Sequence, residues 1–133
     1  FMNDVNNMNV KNILVVDDSN VISSILKKLI GTGYNVIESS GGNDAINMVD
    51  TDSNIVGMFL DLNMPDVNGF DVLEHLKKIN AFDRIPVAII TGDDSKETIY
   101  KAFDYKIVDV LNKPFNASDV NRIISSMEMM RKC

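Results

Sequence analysis

Short, largely apolar runs recur along this chain at residues 13–16, 35–38, 55–60, 87–90 and 107–111, and each is followed by a longer stretch whose apolar residues fall at helical spacing. This alternation constrains the fold more than any other feature. A strand that is apolar on both sides of its pleat must be covered on both faces. Strands separated by helices pair in parallel through right-handed crossovers. The expected architecture is therefore α/β: a doubly wound, parallel, five-stranded (βα)5 sheet with helices on both faces. Where helices occupy both faces, the strand order reverses somewhere. A ligand site is expected there, outside the carboxyl ends of the strands.

The helical segments support this reading. The first spans residues 20–30, with Val21, Ile22, Ile25, Leu26, Leu29 and Ile30 expected inward and Ser23, Ser24, Lys27 and Lys28 outward. Ser19 is its N-cap, and Gly31 and Gly33 end it. The second follows Gly41 and Gly42 and carries Ala45, Ile46 and Val49. A turn rich in Asn, Pro and Gly at 63–69 leads to the third, with Phe70, Leu73, Leu76 and Ile79. Pro86 opens the fourth strand, a weaker helix covers 95–104, and the last helix, 117–130, carries Val120, Ile123, Ile124 and Met127 on one face. Residues 1–10 are Asn-rich without an apolar period and are expected to form a flexible lead, leaving 11–133 as one domain.

Composition narrows the class. No apolar run approaches the ~18 residues needed to cross a bilayer, and no basic region followed by an apolar stretch marks a secretory leader. A lone cysteine, Cys133, excludes an internal disulfide framework and a cysteine zinc site. The expected setting is cytoplasmic and reducing. A net charge of −6 argues against a nucleic-acid-binding surface. Neither nucleic acid nor membrane is an expected partner.

In a parallel sheet the strand ends lie together, and here they are polar. The first strand ends in Asp17-Asp18, the third in Asp61 ("MFLDLNMP"), the fourth in Thr91 ("VAIITGDD") and the fifth in Lys113 ("VLNKPF"). Glu38 and Ser39, at the end of the second, have no assigned role. Taken singly, each residue has an ordinary reading: a cap, a turn residue or a surface lysine. Together they form a chemical set. Three carboxylates at one rim need a counter-charge. A ligand set made only of oxygens, with no His or Cys nearby, suits Mg²⁺. An ammonium and a hydroxyl beside a central carboxylate suit phosphoryl transfer, with Asp61 as the nucleophile that forms an acyl phosphate.

The stretches "ILVVDDS", "LDLNMPDVNG", "IITG" and "NKPF" together resemble the response-regulator receiver family of two-component phosphorelay signalling, over essentially the whole domain. The resemblance implies a flavodoxin-like sheet of order 2-1-3-4-5. It implies that Asp61 accepts a phosphoryl group from the phosphohistidine of a sensor histidine kinase or histidine phosphotransfer protein. Asp18 matches a direct Mg²⁺ ligand, Asp17 a ligand acting mostly through water, and Asn63 the position whose backbone carbonyl completes the metal shell. Thr91 matches the switch hydroxyl and Lys113 the phosphate-pairing lysine. The Lys113–Pro114 bond would be cis, and Pro65 and Gly69 shape the turn after Asp61. Asn63 and Asp93 would set how fast water removes the phosphoryl group. A receiver of this kind is a switch, not a turnover enzyme. It presents a changed surface, from the fourth helix through the fifth strand and helix, to a downstream protein or output domain, as a monomer or a phosphorylation-dependent dimer.

The chain departs from the family pattern in one region. Three residues before Lys113, where the family has Tyr or Phe, stands Val110, and the usual Gly-Ala after the fourth helix is replaced by Lys106 and Ile107. Phosphate chemistry is untouched, but the usual relay from Thr91 to an aromatic ring is not available. Tyr100 and Tyr105 are expected on the surface or lining the fourth helix rather than as substitutes for that ring, and His75 on the surface. Met127, Met129 and Met130 are expected as core and frayed tail. Two alternatives remain open at this point. One is an interaction module of the same fold that works without phosphorylation. The other is an aspartyl phosphatase of the haloacid-dehalogenase type, which needs acids two apart where this chain has them adjacent.

Overall fold

The computed structural model describes residues 10–63, 69–92 and 96–132. The lead at 1–9, Pro65, Asp93 and Cys133 lie outside the described residues. The elements run β1 (Asn12–Val16), α1 (Asn20–Ile30), β2 (Asn35–Ser39), α2 (Gly42–Thr51), β3 (Ile55–Asp61), α3 (Gly69–Lys78), β4 (Val87–Thr91), α4 (Lys96–Ala102), β5 (Asp109–Asn112) and α5 (Ala117–Lys132). All five strands are parallel, in the order β2-β1-β3-β4-β5. This is the doubly wound sheet expected from the alternation, with the reversal between β1 and β3.

The pleat divides the core in two. Ile13, Val15, Phe59, Ala88 and Ile90 point to one face, where Leu26 and Ile30 of α1 and Val120, Ile123 and Met127 of α5 cover them. Leu14, Val16, Met58, Leu60, Val87 and Ile89 point to the other, under Ala45 and Val49 of α2 and Val72, Leu73 and Leu76 of α3. Every residue of β1 and β4 is buried, as strands covered on both faces must be. Among the described residues no helix is long and apolar enough to cross a membrane.

Several local expectations need correction. In α1 the buried stripe is Ser23, Leu26 and Ile30, whereas Val21 and Ile25 are 66% and 39% exposed. The apolar stretch is wider than the strip of sheet it covers, so its outer edge faces solvent. Ser23, expected outward, falls in register with Leu26 and Ile30 and is buried. β5 begins at Asp109, not 107: the Ile107 N–H is used in a local turn to the Tyr105 carbonyl (2.9 Å), and the chain joins β4 only from Val108, whose N–H bonds the Val87 carbonyl (2.8 Å). The ladder also extends further than expected at the functional edge, where Asp61 pairs with Ile90 and Thr91 with Asn112.

Helix ends show how the sequence departures are absorbed. Gly31 (φ 80°) follows α1, and Asn80 (φ 55°) follows α3, where the Ala81 N–H reaches the Leu76 carbonyl (2.8 Å). α4 ends without such a residue: Asp104 bonds Lys101 (3.1 Å) and Tyr105 bonds Ala102 (3.0 Å), each three residues back. Lys106 therefore has no left-handed conformation to adopt. His75 is only 21% exposed and pairs with Asp50 at 2.7 Å, joining α3 to α2 instead of standing free on the surface.

The far end of α5 is fastened to the amino-terminal edge of the sheet. The Tyr34 hydroxyl donates to Glu128, and the Arg131 guanidinium donates to the Val56 carbonyl and to the Tyr34 hydroxyl. Met127 is fully buried beneath this turn and Met129 is 69% exposed. Met127→Ala should therefore cost about 2–5 kcal/mol of stability. Met129→Ala should stay within about 0.5 kcal/mol of the parent. Urea unfolding followed by circular dichroism measures both.

Candidate functional site at the carboxyl edge of the sheet

The site begins where β1 runs out. The Asp17 N–H extends the ladder to the Ser39 carbonyl (3.1 Å). Its side chain then turns the chain, Oδ1 accepting the Ser19 N–H at 2.7 Å. Ser19 in turn caps α1 by accepting the Ile22 N–H (3.4 Å). One oxygen of a buried carboxylate is thus used to form the turn. The other, Oδ2, is left without a hydrogen-bond partner. Asp18, next in the chain, is exposed.

Asp61 ends β3 and is 4% exposed. Its Oδ1 accepts the Asn63 N–H (2.9 Å), which fixes the carboxylate plane. Carboxylate oxygens of Asp17, Asp18 and Asp61 all lie within 4.8 Å of one another. The Lys113 ammonium reaches in from the end of β5, 3.6 Å from Asp17 Oδ2 and 3.7 Å from Asp61 Oδ2. Thr91 is buried at the end of β4, and its carbonyl accepts the Lys113 N–H (2.8 Å), which places the lysine in register with the rim. The Lys113–Pro114 bond is cis.

Two glycines make the approach of these parts possible. A Cβ on Gly69 would lie 2.9 Å from the Asp61 carbonyl oxygen and 2.9 Å from Leu62 Cα, so α3 starts directly against the end of β3. A Cβ on Gly92 would meet the Lys113 stem at 3.3 Å, so the lysine lies across it.

The electrostatics are unbalanced. Burial pushes the Asp17 carboxyl above its ordinary value; the Ser19 N–H opposes this, Asp61 adds to it, Lys113 opposes it and Asp18 adds to it. One ammonium faces three carboxylates. The donor set is entirely oxygen, and the buried Asp17 Oδ2 has no bond to make within the protein. These residues fit a hard divalent cation of the Mg²⁺ kind.

Asp17, Asp18, Asp61 and Lys113, each singled out from sequence, therefore meet at one point. Thr91 lies on the same rim, and Asn63 adjoins Asp61 through its N–H. Ser19 caps α1 as expected, and Gly69 stands at the end of the turn it was expected to shape; the support given by Gly92 was not anticipated. Ser39, left unassigned, is buried and donates to the Gly41 carbonyl (2.8 Å), a local turn bond.

Comparison with known proteins agrees with the fold and shows the family. The family model of the response regulator receiver domain matches residues 13–125, and the chain belongs to that family. A two-component response regulator of Oryza sativa, ORR3, is 30% identical over 118 residues, covering 88% of this chain and 90% of that protein. Chemotaxis protein CheY1 of Helicobacter pylori is 31% identical over 105 residues, covering 77% and 85%. Among solved structures, the signal receiver domain of a Vibrio parahaemolyticus LuxO repressor superposes with a TM-score of 0.83 at 23% identity, over 92% of this chain and 94% of that one. At that identity the likeness speaks for the fold alone.

The raised Asp17 carboxyl has a measurable consequence for the metal-free protein. Because its folded value lies above the unfolded one, its contribution to stability is fully present below the unfolded value near 3.8 and is lost as pH rises through the folded value. At neutral pH without divalent cations, Asp17→Asn should be more stable than the parent. The advantage should shrink as pH falls into the acid range. Urea titrations in chelator at several pH values test this.

Proposed function

We propose that residues 11–133 act as a phosphoacceptor switch in a two-component or phosphorelay pathway, in which Asp61 takes a phosphoryl group from a phosphohistidine. The observation that carries the reading is the buried Asp61 carboxylate beside one ammonium and two further carboxylates, with an unbonded oxygen at its centre. Asp17, Asp18 and Asp61, with the Asn63 backbone carbonyl, would hold Mg²⁺, which when bound supplies positive charge to the carboxylates and to the phosphoryl oxygens.

An Asp61 carboxylate oxygen attacks phosphorus in line. The P–N bond of the donor breaks, and the imidazole nitrogen leaves with the electron pair and takes a proton from solvent. The product, an acyl phosphate, carries close to two negative charges. Lys113 pairs with the phosphoryl oxygens, and the Thr91 hydroxyl donates to one of them. Burial of Asp61 and Thr91 excludes bulk water from the new bond. A phosphodonor protein would approach over α1, where Val21 and Ile25 present an apolar edge next to Asp18. The cytoplasm is the setting such a donor requires. The partner reading the switch, a downstream protein or output domain, would meet the surface formed by α4, β5 and α5, with the receiver acting as a monomer or as a dimer formed on phosphorylation.

A second reading keeps the fold as an interaction module that works without phosphorylation. Val110, standing where the family has a ring, is the observation that favours it. Mg²⁺-dependent binding of beryllofluoride at Asp61 separates the two.

Asp61→Asn should lose labelling from a low-molecular-weight phosphodonor at least about 100-fold, with an unchanged circular dichroism spectrum. Saturating Mg²⁺, at about 100 times its dissociation constant, should raise parent stability by about 2.7 kcal/mol, and should do much less for Asp17→Asn. Retained labelling of the Asp61 variant would refute the assignment.

A further inference from the structure

Val110 poses a problem for a switch of this kind. It is half-buried on the face covered by α2 and α3, and it has no ring to reorient. The site must reach α4 by another route. α4 itself is poorly seated: of its seven residues only Ala102 is buried, and Tyr100 and the following Phe103 are exposed. Its own apolar stripe therefore does little to hold it.

What joins α4 to α3 is the residue at its exit. The Tyr105 ring lies between Phe70 (centroids 6.3 Å apart, 41° between planes) and Phe82 (6.4 Å, 44°). Its hydroxyl donates to Glu74 at 3.1 Å. The Lys77 ammonium sits over the Tyr105 ring at 5.8 Å, and Lys101 of α4 sits over the Phe70 ring at 5.9 Å. Tilted rings, one solvent-exposed hydrogen bond to a carboxylate and cation–ring contacts at half-exposed positions are individually modest. A set of such contacts can hold one arrangement in the majority and still be exchanged for another.

The same set begins one residue from a close backbone contact with Asp61. Phe70 directly follows Gly69, which packs so closely on the Asp61 carbonyl that no side chain fits between them. A shift of the end of β3 when Asp61 changes its ligands must move Gly69, and with it the ring that supports Tyr105. Tyr105 also belongs to the turn that delivers the chain into β5, its carbonyl accepting the Ile107 N–H.

We infer that Tyr105, latched to Phe70, Phe82 and Glu74, is the coupling residue between the Asp61 site and α4, in the role for which Val110 lacks a ring. The latch is closed when the site is empty of phosphoryl and is released when it is filled. The inference rests on the phosphoacceptor reading. It goes beyond that reading in naming the residue that carries the signal and the helix pair across which it passes.

The chain has three tyrosines and no tryptophan, so 3-fluorotyrosine labelling of the full chain reads the latch directly. Tyr→Phe variants assign the Tyr34, Tyr100 and Tyr105 resonances. With Mg²⁺ and beryllofluoride, which gives its own bound fluorine signal, the Tyr105 resonance should move toward the position of exposed tyrosine. That of Tyr34, bonded at the opposite end of the sheet, should stay. Tyr105→Phe keeps the ring and removes the bond to Glu74, so by reciprocity it should tighten beryllofluoride binding about fivefold. A residue that merely supports the fold would leave that affinity unchanged. Bound beryllofluoride with a stationary Tyr105 resonance, or with unaltered affinity in Tyr105→Phe, overturns the inference and leaves the receiver reading standing. Failure of beryllofluoride to bind the parent overturns the receiver reading, and the inference falls with it.

Discussion

At the carboxyl edge of the sheet a single ammonium lies between two buried carboxylates while a third stands at the rim. Much of the architecture exists to keep those charges together. The reversal of strand order puts β1 beside β3, so Asp17 and Asp61 become neighbours. Pairing of Thr91 with Asn112 brings the Lys113 stem across Gly92. Charges of one sign held at this spacing in a low-dielectric setting store electrostatic energy, and Lys113 relieves only part of it. The remainder is a repulsion that weakens the fold and that a bound cation would relieve.

The fold was legible because it follows from periodicity. Apolar strands and amphipathic helices alternate without interruption, and once both faces of the sheet are covered few topologies remain. The carboxylates and the lysine were legible because each ends a strand, so that placing the strands placed the residues. The errors fall where periodicity says little. Val21 and Ile25 have the spacing of core residues but lie beyond the edge of the sheet that α1 covers. Ser23 looks polar by type and is buried by phase. The start of β5 was set too early because Ile107 and Val108 are as apolar as strand residues, and only the turn bond from Ile107 to Tyr105 reveals that the chain has not yet joined β4. Gly69 was read only as part of a turn and Gly92 carried no signal, since the need for a missing side chain appears only when the opposing atoms are in place.

The region around Val110 shows a compensation that no local motif announces. Without a ring on β5 and without a glycine after α4, the chain closes α4 with three-residue turns and directs Tyr105 back between Phe70 and Phe82. A position read as peripheral on sequence grounds packs between a ring of α3 and a ring just beyond it. Contacts of this kind depend on side-chain direction rather than residue spacing, and the sequence does not encode that direction at any one position.

The fastening of Tyr34, Glu128 and Arg131 at the opposite end of the sheet bears on mechanics. It braces α5 along the flank it shares with α1, whereas α4 on the other flank rests on a handful of side chains. A body that is stiff along one side and compliant along the other deforms in a preferred direction. On that footing, a displacement imposed at the rim would meet less resistance toward α4 than toward the braced helices.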